Sequence, residues 1–175
     1  QTNLSYRGIY AECIYVFKSG YTRYTRYDTF LNIKINVRKI MIKALIFDFD
    51  GTLVNTIEDL KDSINMALMS NGFDKQYSTE ETKNLIGKGI RVLCTRALNY
   101  CPHSIEDEEN VYKSFYEYYS KNQINKTRPY VNVVETLLKL NKSKIKLAIL
   151  SNKKHENLLE IVDKLFPKNL FDIIF

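Results

Sequence analysis

The chain is short of the residues that mark the more specialised protein classes. Its three cysteines, Cys13, Cys94 and Cys101, are an odd number with no CxxC pair, and only two histidines, His103 and His155, accompany them. That excludes a disulfide framework and a zinc-binding spacing, and predicts reduced, chemically idle thiols in a cytoplasmic setting. Six glycines and three prolines in 175 residues are too few for a collagen-like or low-complexity chain. Long hydrophobic runs are missing too. Charges or amides interrupt every apolar stretch, as Lys43 does within 41–47, so none approaches the roughly 18 residues of a membrane span. No secretory leader pattern is visible. What remains is an ordinary globular composition, enough for one buried core with room for a small second lobe.

The net charge of +6 suggests a nucleic-acid partner until it is divided along the chain. Residues 1–40 hold seven Lys/Arg against Glu12 and Asp28, and the other 135 residues hold 19 basic against 18 acidic. The same first segment carries six of the thirteen tyrosines and keeps neither a helical nor an alternating period. Residues 1–40 are therefore set apart as a basic, Tyr-rich leader outside the catalytic domain, with Met41 as the expected natural start. Nucleic acid is not an expected partner of the nearly neutral remainder.

From Met41 the grammar becomes regular. Residues 43–48, KALIFD, form an apolar run ending in a carboxylate, as in a strand buried within a parallel sheet. Thr56 with Asp59 has the spacing of a capping box. Ile57, Leu60, Ile64, Ala67 and Leu68 then keep helical spacing until Asn71 and Gly72. Ser78 with Glu81 and Ser104 with Asp107 repeat the capping signature, and Gly87, Lys88 and Gly89 break the intervening helices. Residues 56–128 thus read as helical throughout. After Pro129 the spacing predicts a helix through Val131, Val134, Leu137 and Leu138, a strand over 145–150, a helix over 158–165 and a strand over 171–175. The expected architecture is an α/β core built from 41–55 and 129–175, with an all-helical insertion at 56–128.

The chemistry gathers at the ends of the first two core strands. In DFDGTLVNT (48–56) two carboxylates stand two residues apart, so in extended backbone both leave the same face just before a glycine turn. Ligands of open α/β sheets gather at the carboxyl ends of strands, and paired carboxylates there suit a hard cation that leaves positions for a phosphate. The second strand ends in SNK (151–153).

With these two motifs the sequence resembles the haloacid dehalogenase superfamily, and within it the phosphoglycolate phosphatase-like branch. The similarity spans 41–175. DFDGTL is its most specific part, and LIGKGIR at 85–91 is similar to a segment of that branch's cap. The resemblance implies a Rossmann-like parallel-sheet core, incomplete here, with an inserted helical cap at 56–128. It implies Asp48 as the nucleophile that forms an aspartyl phosphate and Asp50 as general acid and base. It also implies Mg2+ held by Asp48 and Asp50, the latter through its backbone carbonyl, and phosphate bound by Ser151 and the amides around Gly51 and Asn152. Thr52 is expected to fix the turn. Lys88 and Arg91 stand as candidates to attract an anionic substrate. The roles of Lys153, Lys154 and His155 stay open. An intact second Asp points to phosphate chemistry rather than halide displacement, which needs no leaving-group proton.

Two departures accompany the resemblance. RPYVNV (128–133) replaces the PYPGV common in the family, which loosens a turn and removes no catalytic group. The family's third motif, a lysine, and its fourth, an acidic cluster, lie beyond a strand corresponding to 171–175. The expectation is therefore a fragment of low intrinsic activity, whose motif-bearing strand lacks a sheet neighbour on one edge. The expected function is Mg2+-dependent hydrolysis of a small phosphorylated metabolite, phosphoglycolate first. A β-phosphoglucomutase-like mutase, a pyrophosphatase and a degenerate binding module are the alternatives.

Overall fold

A computed structural model describes the backbone of residues 14–17 and all of residues 42–175. Four strands form one parallel sheet in the order β1-β2-β5-β6: β1 (Ile14–Phe17), β2 (Ala44–Phe47), β5 (Lys146–Ile149) and β6 (Ile173–Ile174). Helices α5 (Val133–Lys142) and α6 (His155–Leu165) make the connections to β5 and from β5 to β6. Parallel neighbours need such crossovers because a hairpin cannot join them. Between β2 and α5 the chain makes α1 (Ile57–Ser70), α2 (Thr79–Leu85), α3 (Ile90–Leu98) and α4 (Ile105–Asn122). The α/β parallel-sheet class with a helical insertion is the one the sequence predicts.

Two separate apolar cores sustain this arrangement. In the sheet core, Leu45, Phe47, Leu147 and Ile149 meet Leu137 of α5 and Leu158 and Ile161 of α6. In the helical core, Leu60, Ile64 and Leu68 of α1 face Val111, Phe115 and Tyr119 of α4, and Leu93, Ala97 and Leu98 of α3 belong to the same cluster. The spacing of four in α4 stacks its three buried residues on one stripe. Each fully buried Leu or Phe contributes about 1.5–3 kcal/mol of transfer free energy, so neither core is incidental. Helix α1 stops where the sequence predicts. Gly72 takes φ +82, its amide donates to Met69 O at 3.2 Å, and Phe73 N donates to Leu68 O at 3.0 Å, which is a Schellman closure that needs a left-handed residue. The capping boxes at Ser78 with Glu81 and Ser104 with Asp107 are both formed.

The structure departs from the sequence reading in five places. Strand β2 is buried on alternate residues only, with Ala44 and Ile46 half-exposed, because the two faces of the sheet are unequally covered. The segment set apart on composition contributes β1, which pairs with β2 from Ile14↔Ala44 to Phe17↔Phe47. Strand β2 therefore has neighbours on both edges, contrary to the unpaired edge expected above. Backbone pairing is blind to the charge and periodicity on which the segment was separated. Residues 56–128 are not helical to their end: β4 (Arg128–Pro129) pairs antiparallel with β3 (Val54–Asn55). Helix α5 begins at Val133, two residues after Val131, which is 88% exposed, because Asn132 at φ +65 turns the chain between them.

The fifth departure is the capping box expected of Thr56 and Asp59. Thr56 makes no side-chain cap bond, and Asn55 Oδ1 instead accepts from Ile57 N at 3.3 Å. Asp59 is buried and turned toward the end of the insertion, where it accepts from Lys126 N at 3.0 Å, Thr127 N at 2.8 Å and Thr127 Oγ1 at 2.7 Å. Three donors outcompete the single Thr56 amide for the same carboxylate. The β3/β4 ladder and this carboxylate clamp together hold the outgoing and returning chains side by side.

Candidate active site

Asp48 follows β2 directly, and the loop after it is wound around one carbonyl. Phe49 O accepts from the amides of Thr52 at 3.2 Å, Leu53 at 2.9 Å and Val54 at 3.3 Å, while Gly51 N donates to Val54 O at 2.8 Å. Gly51 closes the turn at φ +75, where a Cβ would be strained. Phe49 is fully buried and anchors the loop, so the flanking Asp48 and Asp50 face away from the core at the strand's end. Phe49 N donates to Asp48 Oδ1 at 2.9 Å, which restricts that carboxylate's rotation. Thr52 is half-buried within the turn, and its amide is one of the three that hold it.

The second strand brings its own loop to the same level. Phe47 pairs with Ile149, and Leu150 N donates to Phe47 O at 2.8 Å, so Asp48 and Ser151 emerge at the ends of adjacent parallel strands. Such strands lie roughly 4.8 Å apart. Ser151 Oγ accepts from Lys153 N at 3.2 Å, closing a short turn, and Ser151 N donates to Phe175 O at 2.9 Å. Asn152 is exposed beside it.

The Lys153 side chain is 3% exposed, with Nζ 3.2 Å from Asp50 Oδ1. The same Nζ donates to Tyr119 Oη at 2.6 Å and lies 4.8 Å from the Tyr119 ring centre. Tyr119 comes from α4, is fully buried, and stacks on Phe115 with ring centres 5.5 Å apart. Burial pulls the Lys153 ammonium toward its neutral form, but Asp50 and Tyr119 outweigh it and the group titrates above its ordinary range. Burial pushes the Tyr119 phenol up. Asp50 Oδ1 is itself buried, and its approach to Nζ lacks hydrogen-bond direction.

The other expected site residues lie elsewhere. Lys88 is exposed in the break between α2 and α3. Arg91 is held on the surface of the insertion, paired with Glu109 Oε2 at 2.7 Å and stacked 4.0 Å from the Tyr112 ring centre. Lys154 lies over Tyr116 at 4.7 Å, and His155 is an exposed first residue of α6. Sequence reasoning missed Tyr119, whose spacing from Val111 and Phe115 marks it as core and carries no sign of its hydroxyl's partner.

Among the described residues no three His, Cys, Asp or Glu side chains gather into a cluster able to hold a metal ion. Two carboxylates on one tight loop at the end of β2, Asp50 with one oxygen already paired with Lys153, fit a cation that takes few protein ligands, Asp48 and the Asp50 carbonyl among them, and completes its shell with water and phosphate. That is the habit of Mg2+. No helix among the described residues is long and apolar enough to cross a membrane.

Comparison with known proteins gives concordant matches. Residues 45–175 match the model of the haloacid dehalogenase-like hydrolase family. The chain is 37% identical over 120 residues to a phosphoglycolate phosphatase of Psychrobacter arcticus, covering 63% of this chain and 50% of that protein. It is 31% identical over 133 residues to one of Aquifex aeolicus, covering 76% and 60%. A crystal structure provisionally named a phosphoglycolate phosphatase, from Lactobacillus delbrueckii, superimposes with a TM-score of 0.72 at 31% identity, over 76% of this chain and 64% of that one. This chain thus spans about half to three-fifths of the curated relatives it matches.

Proposed function

The chain belongs to the haloacid dehalogenase-like hydrolase family, and on that premise we propose that it is the nucleophile-bearing part of a phosphatase acting on a small phosphomonoester, with 2-phosphoglycolate as the leading substrate. The observation that carries the reading is the level arrangement of the Asp48 and Ser151 loops at the ends of paired parallel strands. The relatives named for phosphoglycolate, at 31–37% identity, support that substrate.

In this reading Asp48 attacks phosphorus through a carboxylate oxygen and becomes an acyl phosphate, while Asp50 gives its proton to the departing alkoxide. Asp50 then accepts a proton from the water that attacks the acyl phosphate, returning Asp48 to its starting state. Ser151 and the amide of Asn152 hold the non-bridging oxygens, whereas the Gly51 and Thr52 amides expected to share that task are engaged within their own turn, with Val54 O and Phe49 O. Mg2+ held at Asp48 and Asp50 supplies positive charge against the approach of an anionic nucleophile to an anionic phosphate. Residues 56–128 act as the cap that closes over the substrate and excludes water. Lys88, exposed, is free to meet an anion entering under that cap, whereas Arg91 has to leave Glu109 first.

The test is to incubate the protein with 2-phosphoglycolate and Mg2+ and to follow both released phosphate and the mass of the peptide carrying Asp48. One added phosphoryl group on that peptide is expected, with turnover lost in Asp48→Asn. Undiminished turnover in Asp48→Asn refutes the assignment.

A further inference from the structure

Lys153 touches both the candidate acid–base carboxylate and the helical insertion. Its ammonium sits 3.2 Å from Asp50 Oδ1 on the sheet side and donates to Tyr119 Oη, at 2.6 Å, on α4. Both ends of this bridge are fixed independently. On the sheet side, Lys153 N is tied to Ser151 Oγ. On the helical side, Tyr119 is clamped by its stack on Phe115, and neighbouring Tyr116 donates to Asn157 Oδ1 of α6 at 2.6 Å. A lysine stem could carry its charge out to solvent, yet only 3% of this side chain is exposed. Such burial is costly without partners on every side. In this buried position Asp50 and Tyr119 are the ammonium's two anchors.

We propose that Lys153 is a positioning residue that couples the seating of the helical insertion to the orientation of Asp50. With α4 seated, Tyr119 directs the ammonium onto Asp50 Oδ1 and fixes the carboxylate for proton transfer to the leaving group. With α4 lifted, the ammonium loses one of its two anchors, and Asp50 is free to turn away. Proton donation is then confined to the closed arrangement, in which water is excluded. The inference rests on the phosphatase reading above for the role of Asp50, while the bridge itself rests on geometry alone.

Two measurements test it on the whole chain, with Lys153→Met, Lys153→Arg and Tyr119→Phe. Tyr119→Phe keeps the ring and its stack and removes only the hydroxyl. The first measurement is amide hydrogen exchange, which needs no turnover. Exchange over 116–122 should quicken about tenfold in Lys153→Met and measurably in Tyr119→Phe, and Lys153→Arg should return toward the unaltered rate. Unchanged exchange in Lys153→Met overturns the proposal.

The second is steady-state kinetics on two esters. 2-Phosphoglycolate needs a proton on its leaving oxygen, whereas p-nitrophenyl phosphate releases a stable anion. In Lys153→Met, kcat for 2-phosphoglycolate should fall roughly 10- to 100-fold at nearly constant KM, with a much smaller fall for p-nitrophenyl phosphate. Equal falls on both esters, or a rise confined to KM, overturn the positioning role. If the unaltered chain turns over neither ester, in keeping with the low intrinsic activity expected of it, the exchange measurement alone decides, and unchanged exchange in Lys153→Met overturns the bridge.

Discussion

Replacing Asp59 with alanine should destabilise the protein more than any other single surface-distant polar change described above. The carboxylate is 2% exposed and accepts from Lys126 N, Thr127 N and Thr127 Oγ1 within 3.1 Å. Removing it strands two backbone N–H groups and a hydroxyl. Each buried donor left unmet costs about 1–3 kcal/mol. The hydroxyl can rotate to another acceptor and water can enter the vacated volume, so the expected net loss is about 3–5 kcal/mol rather than the full sum. Against a total stability of about 5–15 kcal/mol, that is a large fraction. It corresponds to a fall in Tm of roughly 6–20 °C at about 2–4 °C per kcal/mol for a chain of this size. Asp59→Asn keeps the volume and one acceptor oxygen but turns an NH2 group toward donors, so it should not restore stability. Urea unfolding of Asp59→Ala, Thr127→Val and the double variant supplies the check. The pair should be non-additive, because Thr127→Val removes one of the donors that Asp59→Ala would strand. A loss below about 1 kcal/mol in Asp59→Ala, with a cooperative transition retained, would refute the clamp.

The capping boxes give smaller, separable effects: Ser78→Ala and Ser104→Ala should each lower stability by about 1 kcal/mol in urea unfolding, and no loss in either would contradict the bonds to Glu81 N and Asp107 N. A pH dependence follows from His103, whose ring nitrogens face Cys101 O at 2.9 Å and Glu108 Oε1 at 3.3 Å. The Cys101 carbonyl, and then Glu108, favour the charged ring and raise its titration above the ordinary value near 6.5. A raised folded value means that this stabilisation is full below about pH 6.5 and fades as pH rises through the folded value. Tm measured between about pH 5 and 8 should therefore carry a downward component toward high pH that His103→Gln removes. An identical profile in the variant would show that the ring is not engaged.

The local rules legible in the sequence were those that neighbours along the chain enforce. The helical stripes of α1 and α4, the stop at Gly72, the two serine caps and the glycine turn after Asp50 each depend on residues within a turn or two, and the structure places them where spacing puts them. The full string DFDGTLVNT at the end of an apolar strand, read with SNK at the end of the next, also pointed to chemistry before any geometry was available, whereas a bare pair of carboxylates there is as well suited to capping a loop. What spacing alone could not settle was competition between near and distant partners. Thr56 and Asp59 have the right separation for a cap, yet Asp59 turns to residues 126–127, because two amides and a hydroxyl some 67 positions away bind a buried carboxylate more strongly than one N–H. Strand β1 is invisible to periodicity and composition because its role is defined by the edge of β2 that it covers. Lys153 and Tyr119 read as a loop lysine and a core aromatic. Only the packing of α4 against the sheet's carboxyl end brings an ammonium, a phenol and Asp50 to one point, since burial is a property of the assembled fold.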